Sequence, residues 1–171
     1  MVSKKIPPSF NYLDETISYN PKTGEFFWKK NISPRARQGS KAGSINNQGY
    51  LVIGICGKYY QSHRLAFLLM TKEYPGDDEL VDHINGITSD NRWCNLRIVS
   101  HEENMQNMRK PMVSNKSSGL LGVSWCSSVK KWRAEISIKG VSKYLGVYSS
   151  KEEAHRIYLE AKRKLHKGCS I

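Results

Sequence analysis

The sequence lacks the features that would mark a zinc-cluster, membrane or secreted protein. Its four cysteines, Cys56, Cys94, Cys126 and Cys169, lie far apart with no C-x-x-C pair, which argues against a zinc cluster and for buried or free thiols. No apolar stretch approaches a membrane span, and no apolar core follows the charged start M-V-S-K-K-I-P-P-S-F; the expectation is a soluble, cytoplasmic, reduced protein with no membrane partner. Acidic residues are scarce: 15 Asp and Glu face 27 Lys and Arg, a formal net charge of +12 over 171 residues. Such an excess favours polyanionic partners without naming a function, since many basic soluble proteins share it. There is also no polybasic run of five or more, so the charge belongs to folded surfaces and not to a disordered tail.

What is present suits two compact units, because 39% apolar content is enough to build real cores in a chain of this length. The charge is uneven: residues 1–113 hold 15 basic and 11 acidic side chains (+4), and residues 114–171 hold 12 and 4 (+8). The C-terminal third is therefore the electrostatic anchor.

Residues 10–62 read as short strands and turns, an antiparallel meander. Asn20-Pro21-Lys22-Thr23-Gly24 is a turn before Glu25-Phe26-Phe27-Trp28-Lys29, and Tyr50 to Ile55 returns through Gly57-Lys58 into Tyr59-Tyr60-Gln61. Arg64 to Met70 is apolar with good helix formers and is stopped by Pro75-Gly76, which predicts a buried helix. From Leu80 the pattern becomes strand (Leu80–Ile84), polar loop, strand (Leu96–Val99) and helix. Ser100 and Glu103 form a capping box at the start of that helix, which should run to about Arg109 before Pro111. Lys110 to Ser118 reads as a linker. Beyond it, strands near 121–126, 131–138 and 142–148 precede a helix whose start is marked by Ser149 and Glu152.

One constellation carries chemistry. Phosphodiester hydrolysis needs an in-line nucleophile, a base to deprotonate it and a cation to neutralise charge on the phosphoryl and leaving oxygens. Asp82, His83 and Asn104 supply matching groups: a helix packed across two strands brings its first turns against the strand carrying Asp82, and a carboxylate with an amide oxygen makes a hard site suited to Mg²⁺ or Mn²⁺. His83, neutral and adjacent, is a sensible general base. Each residue alone has an ordinary reading as surface, hairpin or exposed helix; the three in order, in strand–loop–strand–helix context, raise the functional one.

D-H-I-N-G, N-R-W-C-N-L-R and E-N-M-Q-N together resemble the HNH nucleases, nearest to those of phage genomes and their mobile introns, over residues 63–109. The resemblance implies a ββα-metal fold, a metal bound by Asp82 and Asn104, His83 as the base activating water, and Asn95 as the middle residue of the catalytic motif, pinning the loop between the strands. Asn104 stands where many HNH proteins have a final histidine. His63-Arg64 matches a recurrent position at the start of the preceding helix, read as packing or phosphate contact. His101 reads as a solvated first-turn residue. In the loop, Asp90 and Asn91 are explained by turn formation and Arg92 by contact with substrate phosphate.

Further on, G-V-S-W, K-W-R-A-E-I, Y-L-G-V-Y and S-K-E-E-A resemble the ethylene-response-factor (APETALA-type) DNA-binding domain over residues 119–168. This implies a three-stranded antiparallel sheet with a packed helix, the sheet entering a DNA major groove. Alternation independently puts Trp132, Ala134 and Ile136 on an inner face and Arg133, Glu135 and Ser137 on an outer one, shared by Tyr144; Leu145 and Val147 alternate unevenly and leave the inner register open. Lys130, Lys131, Arg133 and Lys143 are the phosphate or base contacts, with Glu135 and Tyr144 on the reading face. Ser124 and Ser137 stand where the plant proteins usually have arginines.

The expected fold is α+β: an HNH nuclease domain with its N-terminal meander over residues 1–109, a basic linker over 110–118, and a sheet-plus-helix module over 119–171. The expected activity is a phage-type endonuclease cutting double-stranded DNA as a monomer, one strand at a time, to 5′-phosphate and 3′-hydroxyl ends. The DNA-binding set comprises Arg64, Arg92, Arg109, Lys110, Lys116, Lys130, Lys131, Arg133, Glu135, Lys143 and Tyr144. The rivals are a non-catalytic DNA-binding regulator on the same scaffold and a nuclease acting on RNA or on particular nucleic-acid structures.

Overall fold

The computed structural model describes residues 7–76, 78–108, 111, 115, 117–166 and 169. Arg109, Lys110 and Lys116, three of the expected DNA contacts, lie outside that set, as does most of the expected linker. Two compact units make up the chain, Met1–Ile98 and Val99–Ile171. The expected linker after residue 109 thus lies within the second unit.

In the first unit, helix α1 (Phe10–Thr16) starts where the Ser9 hydroxyl accepts a bond from the Tyr12 amide. The sequence reading expected only strands and turns here. Two turns are too few to show a helical period, and what secures them is burial of Leu13 and Thr16 against residues distant in sequence. Strands β1 (Ile17–Asn20) and β2 (Glu25–Trp28) pair antiparallel. The turn between them is built by Asn20, whose side-chain oxygen accepts from the amides of Lys22 and Thr23, and by Gly24 at φ +75°. Strands β3 (Ser44–Ile45), β4 (Leu51–Ile55) and β5 (Lys58–Gln61) form a second antiparallel sheet in that order. Helix α2 (Ser62–Thr71) follows directly, as its apolar run predicts, and buries Leu65, Ala66, Phe67 and Leu68. The core of the unit joins Leu13, Ile17, Phe26, Ile53 and Leu65, all fully buried.

Strand β6 (Glu79–His83) pairs with β7 (Leu96–Ser100), the loop between them closing in a 3₁₀ turn at Trp93–Asn95. Helix α3 (His101–Gln106) begins at the predicted capping box, the Ser100 hydroxyl accepting from the Glu103 amide while the Glu103 carboxylate accepts from the Ser100 amide. It ends at Gln106, short of the expected Arg109, because the Asn107 amide bonds back to Glu103 and Asn104 and closes the last turn before Pro111 is reached.

The second unit holds strands β8 (Val123–Cys126), β9 (Lys131–Ile138) and β10 (Val141–Tyr148) in an antiparallel sheet with β9 central, and helix α4 (Lys151–Leu165) packed on one face. The cap of α4 is Ser150, whose hydroxyl accepts from the Glu153 amide, one residue beyond the expected Ser149. S-S-K-E-E offers two overlapping capping frames. Packing selects the one that turns Ala154, Tyr158 and Lys162, spaced by four, into the interior. Gly122 adopts φ +68°, and a Cβ there would stand 1.9 Å from the Tyr158 ring, so only glycine lets the chain pass beneath the helix. The uneven alternation in β10 is a β-bulge: Tyr144 lies across from Glu135 and Gly146 from Ala134, with Leu145 as the extra residue, packed on the core.

Candidate active site

The strand–loop–strand segment builds a small polar interior. The Ile84 amide donates to the Asn95 carbonyl at 2.9 Å and sets the pairing at the ends of β6 and β7. Asn95, 6% exposed, then ties the loop: its side-chain oxygen accepts from the Asn85 amide at 2.9 Å, and its amide group donates to the Asp90 carbonyl at 2.8 Å and to Asn85 Oδ1 at 3.0 Å. These are the bonds of a loop-pinning residue. Asn85 continues the mesh by donating to the Asp90 carboxylate at 2.7 Å. The Asp90 carboxylate also accepts two bonds from the Arg92 guanidinium, which holds its pKa down at about 2 and keeps it ionised.

His83 is buried, and its Nε2 lies 3.1 Å from Asn91 Oδ1. The Asn91 amide nitrogen donates to the Ser89 carbonyl, so its oxygen is the end facing the ring; Nε2 then carries the hydrogen and Nδ1 is the basic nitrogen. Burial lowers the His83 pKa below the ordinary histidine value against the opposing pull of Asn91, Asp82 and Asp90, and the ring is neutral at neutral pH. Asn91, 1% exposed, was expected only to form a turn. Its role was missed because a loop asparagine has no periodicity to announce it.

Asn91 is itself held by the meander. The Tyr19 hydroxyl donates to its carbonyl at 2.7 Å, the Trp93 amide donates to the Pro21 carbonyl at 2.9 Å, and Thr88 donates to the Gly49 carbonyl at 2.9 Å. Gly24 packs directly on it: a Cβ there would meet the Asn91 carbonyl carbon at 2.5 Å. The N-terminal strands thus form the frame in which the loop sits.

Asp82 directly precedes His83, the last residue of β6, and its carboxylate acts electrostatically on the His83 ring. Counting outward from the Ile84–Asn95 bond puts Arg97 across from Asp82, and the Arg97 guanidinium donates to Asp82 Oδ2 at 3.0 and 2.8 Å. Arg97 is a second residue the sequence reading missed; the strand register is the signal that finds it. Asn104 sits half-buried on α3 and belongs to the second unit. A carboxylate and an amide oxygen are the donors a hard divalent cation takes, and the guanidinium beside Asp82 would share that carboxylate with any ion held there. Among the described residues no group of three or more His, Cys, Asp and Glu side chains is assembled to hold a metal.

Arg64 is tied into the fold. Its guanidinium donates to the carbonyls of Pro75, Gly76 and Glu79 and lies 4.8 Å over the Tyr74 ring, so it fastens the segment after α2, in keeping with the packing alternative. Arg92 is exposed while paired with Asp90, and His101 is exposed.

In the second unit the outer face of the sheet carries Lys131, Arg133, Glu135 and Ser137 from β9, joined by Ser124, which pairs with Arg133, and by Tyr144, which pairs with Glu135. Glu135 accepts from Ser142 at 2.7 Å, and Arg133 is 45% and Tyr144 58% exposed. Lys130 sits at φ +51° in the turn between β8 and β9. Lys143, although exposed, pairs with Ile136, a core-facing residue, and lines a cleft with Ile157, Glu160 and Lys164 of α4. Adjacent strand residues face opposite ways, so Lys143 cannot share the outer face with Tyr144.

Residues 60–106 match the family described as HNH endonuclease. It is similar to Protein 3.8 of Escherichia phage T7, 35% identical over 60 residues; the matched stretch is 35% of this chain and 48% of the phage protein, about half its length. A solved structure described as DNA binding and cleavage by the HNH homing endonuclease I-HmuI aligns with 90% of this chain and 88% of its own, at 25% identity and a TM-score of 0.42. No helix among the described residues is long and apolar enough to cross a membrane.

Proposed function

We propose that the protein is an HNH-type, divalent-cation-dependent endonuclease that cuts double-stranded DNA inside a phage-infected host cell, nicking one strand as a monomer. The observation that carries this reading is the buried neutral imidazole of His83, with Nε2 bonded to Asn91 and Nδ1 left basic, inside a segment that matches the HNH family. His83 Nδ1 takes a proton from water as the water oxygen attacks phosphorus in line. The bond from phosphorus to the 3′ oxygen breaks, that oxygen gains a proton, and the products are a 3′-hydroxyl and a 5′-phosphate. Asn91 holds the ring in the tautomer that can accept the proton, and Asn95 keeps the loop from shifting. Mg²⁺ or Mn²⁺, held by Asp82 and Asn104, would supply positive charge to the phosphoryl and leaving oxygens.

The outer sheet face of the second unit is the proposed reader, with Lys130, Lys131 and Arg133 on phosphates or base edges and Glu135 and Tyr144 between them. Arg92, Arg109, Lys110 and Lys116 add backbone contacts. The test is supercoiled plasmid incubated with Mg²⁺ and either the wild type or His83→Ala. Wild-type nicking that falls about a hundredfold or more in the variant, with DNA binding retained, supports the reading. Equal nicking by both, or DNA binding without cutting, favours contamination or a non-catalytic regulator.

A further inference from the structure

Hydrogen bonding alone does not hold the His83 ring. A single bond from Nε2 to Asn91 fixes one end of the imidazole and leaves the ring free to turn about that bond. A second contact, against the ring face, must set its plane before Nδ1 can meet a water in one direction.

The structure supplies that contact from a residue outside the motif. His63, the second residue of α2, is 4% exposed, and its ring stands edge-on to His83 with centroids 5.0 Å apart and planes at 84°. Tyr50 packs on both, 5.4 Å from His63 and 6.1 Å from His83. The backbone delivering His63 is pinned in turn, since the fully buried Ser62 hydroxyl donates to the Leu51 carbonyl at 2.9 Å and ties the first turn of α2 to β4. His63 Nδ1 is buried with no hydrogen-bond partner among the described residues. Leaving a buried ring nitrogen unsatisfied is costly, so an aliphatic filler would be the cheaper choice if occupying space were the whole task. A planar side chain small enough to stand edge-on between Tyr50 and His83 is what the site requires. Burial, aided by the charges of His83 and Arg64, brings the His63 pKa down to about 3 and keeps the contact uncharged.

The geometry points to His63 as a positioning residue for the general base: with Tyr50 it sets the plane of the His83 ring while Asn91 sets its tautomer. This rests on the reading of His83 as the base, and its test is separable from that reading. In the full chain at neutral pH, ¹⁵N correlation spectra of the His83 ring should show one Nε2-protonated tautomer. His63→Ala should let the ring reorient, broadening its resonances, and lower kcat for plasmid nicking about tenfold with KM changed less than twofold, whereas His63→Phe, which restores a flat ring, should recover the sharp signals and most of the rate. Tyr50→Leu should loosen the ring in the same sense and serves if His63→Ala unfolds. An unchanged His83 spectrum and rate in folded His63→Ala or Tyr50→Leu overturns the proposal, as does a folded His63→Phe no better than His63→Ala. An ordered His83 ring in a wild type that never cuts, loosened by His63→Ala, would sink the nuclease reading and leave the positioning role standing.

Discussion

The two units set their candidate functional side chains in opposite surroundings. In the first, His63, His83, Asn91 and Asn95 are all less than 7% exposed, and the polar atoms of the last three are bound into a mesh. In the second, Arg133 and Tyr144 stand in solvent on a sheet whose other face does the packing. Burial preorganises dipoles and keeps an imidazole neutral, which is what a proton-accepting step needs. Exposure leaves charges free to meet a polyanion, which is what recognition needs. Buried polarity should therefore govern rate, and exposed polarity affinity.

The comparison breaks most readily at the packing of the second unit. Gly122→Ala forces a methyl into the Tyr158 ring at positive φ and should cost about 3 kcal/mol or more, melting the sheet-and-helix module and weakening DNA binding. Thermal unfolding with gel-shift titration reads both; an unchanged melting temperature would refute the close approach. Next comes Asn91→Leu, which removes the tautomer-fixing acceptor within a similar volume. It should lower kcat about a hundredfold while the DNA Kd moves less than about twofold. A loss seen in Kd instead would erase the distinction between the units.

Arg133→Ala should weaken binding by about 1–2 kcal/mol and reduce the salt dependence of log K by about one phosphate contact, with kcat at saturating DNA unchanged. Lys143→Ala, on the helix side of the sheet, should change binding less than about twofold. An equal loss in the two variants would show that face assignment does not govern contact. The units also differ in acid sensitivity. His63 has a folded pKa of about 3 against about 6.5 unfolded, so below pH 6.5 the unfolded chain binds the proton first. Stability should accordingly fall by up to about 1.4 kcal/mol per pH unit from pH 6.5 downward, with full stabilisation above it. Denaturant titrations at pH 7 and pH 5 should show that slope reduced in His63→Phe.

Much of the architecture is readable in the chain because its signals are local. The capping box at Ser100 and Glu103, the Asn20–Gly24 turn, and the alternation of Trp132, Ala134 and Ile136 each depend on a few neighbouring residues. The Asp82-His83 pair and Asn95 stand out for the same reason, as parts of a short ordered motif. Other features escaped. Helix α1 is too brief to carry a period, and two equivalent serines left the α4 cap ambiguous by one residue. For Arg64 the sequence left packing and phosphate contact open, and the three carbonyls and tyrosine ring around its guanidinium come from distant chain.

The sequence by itself determined the order of strands and helices from α2 onward, the excess of positive charge toward the C-terminal end, and the identity of the groups able to do acid–base chemistry. Those follow from propensity, periodicity and residue type, which act over one or two turns of chain. Tertiary structure alone decided that Tyr19 would brace Asn91 across 72 residues, that Arg97 would share Asp82, and that His63 would stand against His83. Such contacts arise from how packed elements settle against one another, and a residue's own neighbours carry no record of them.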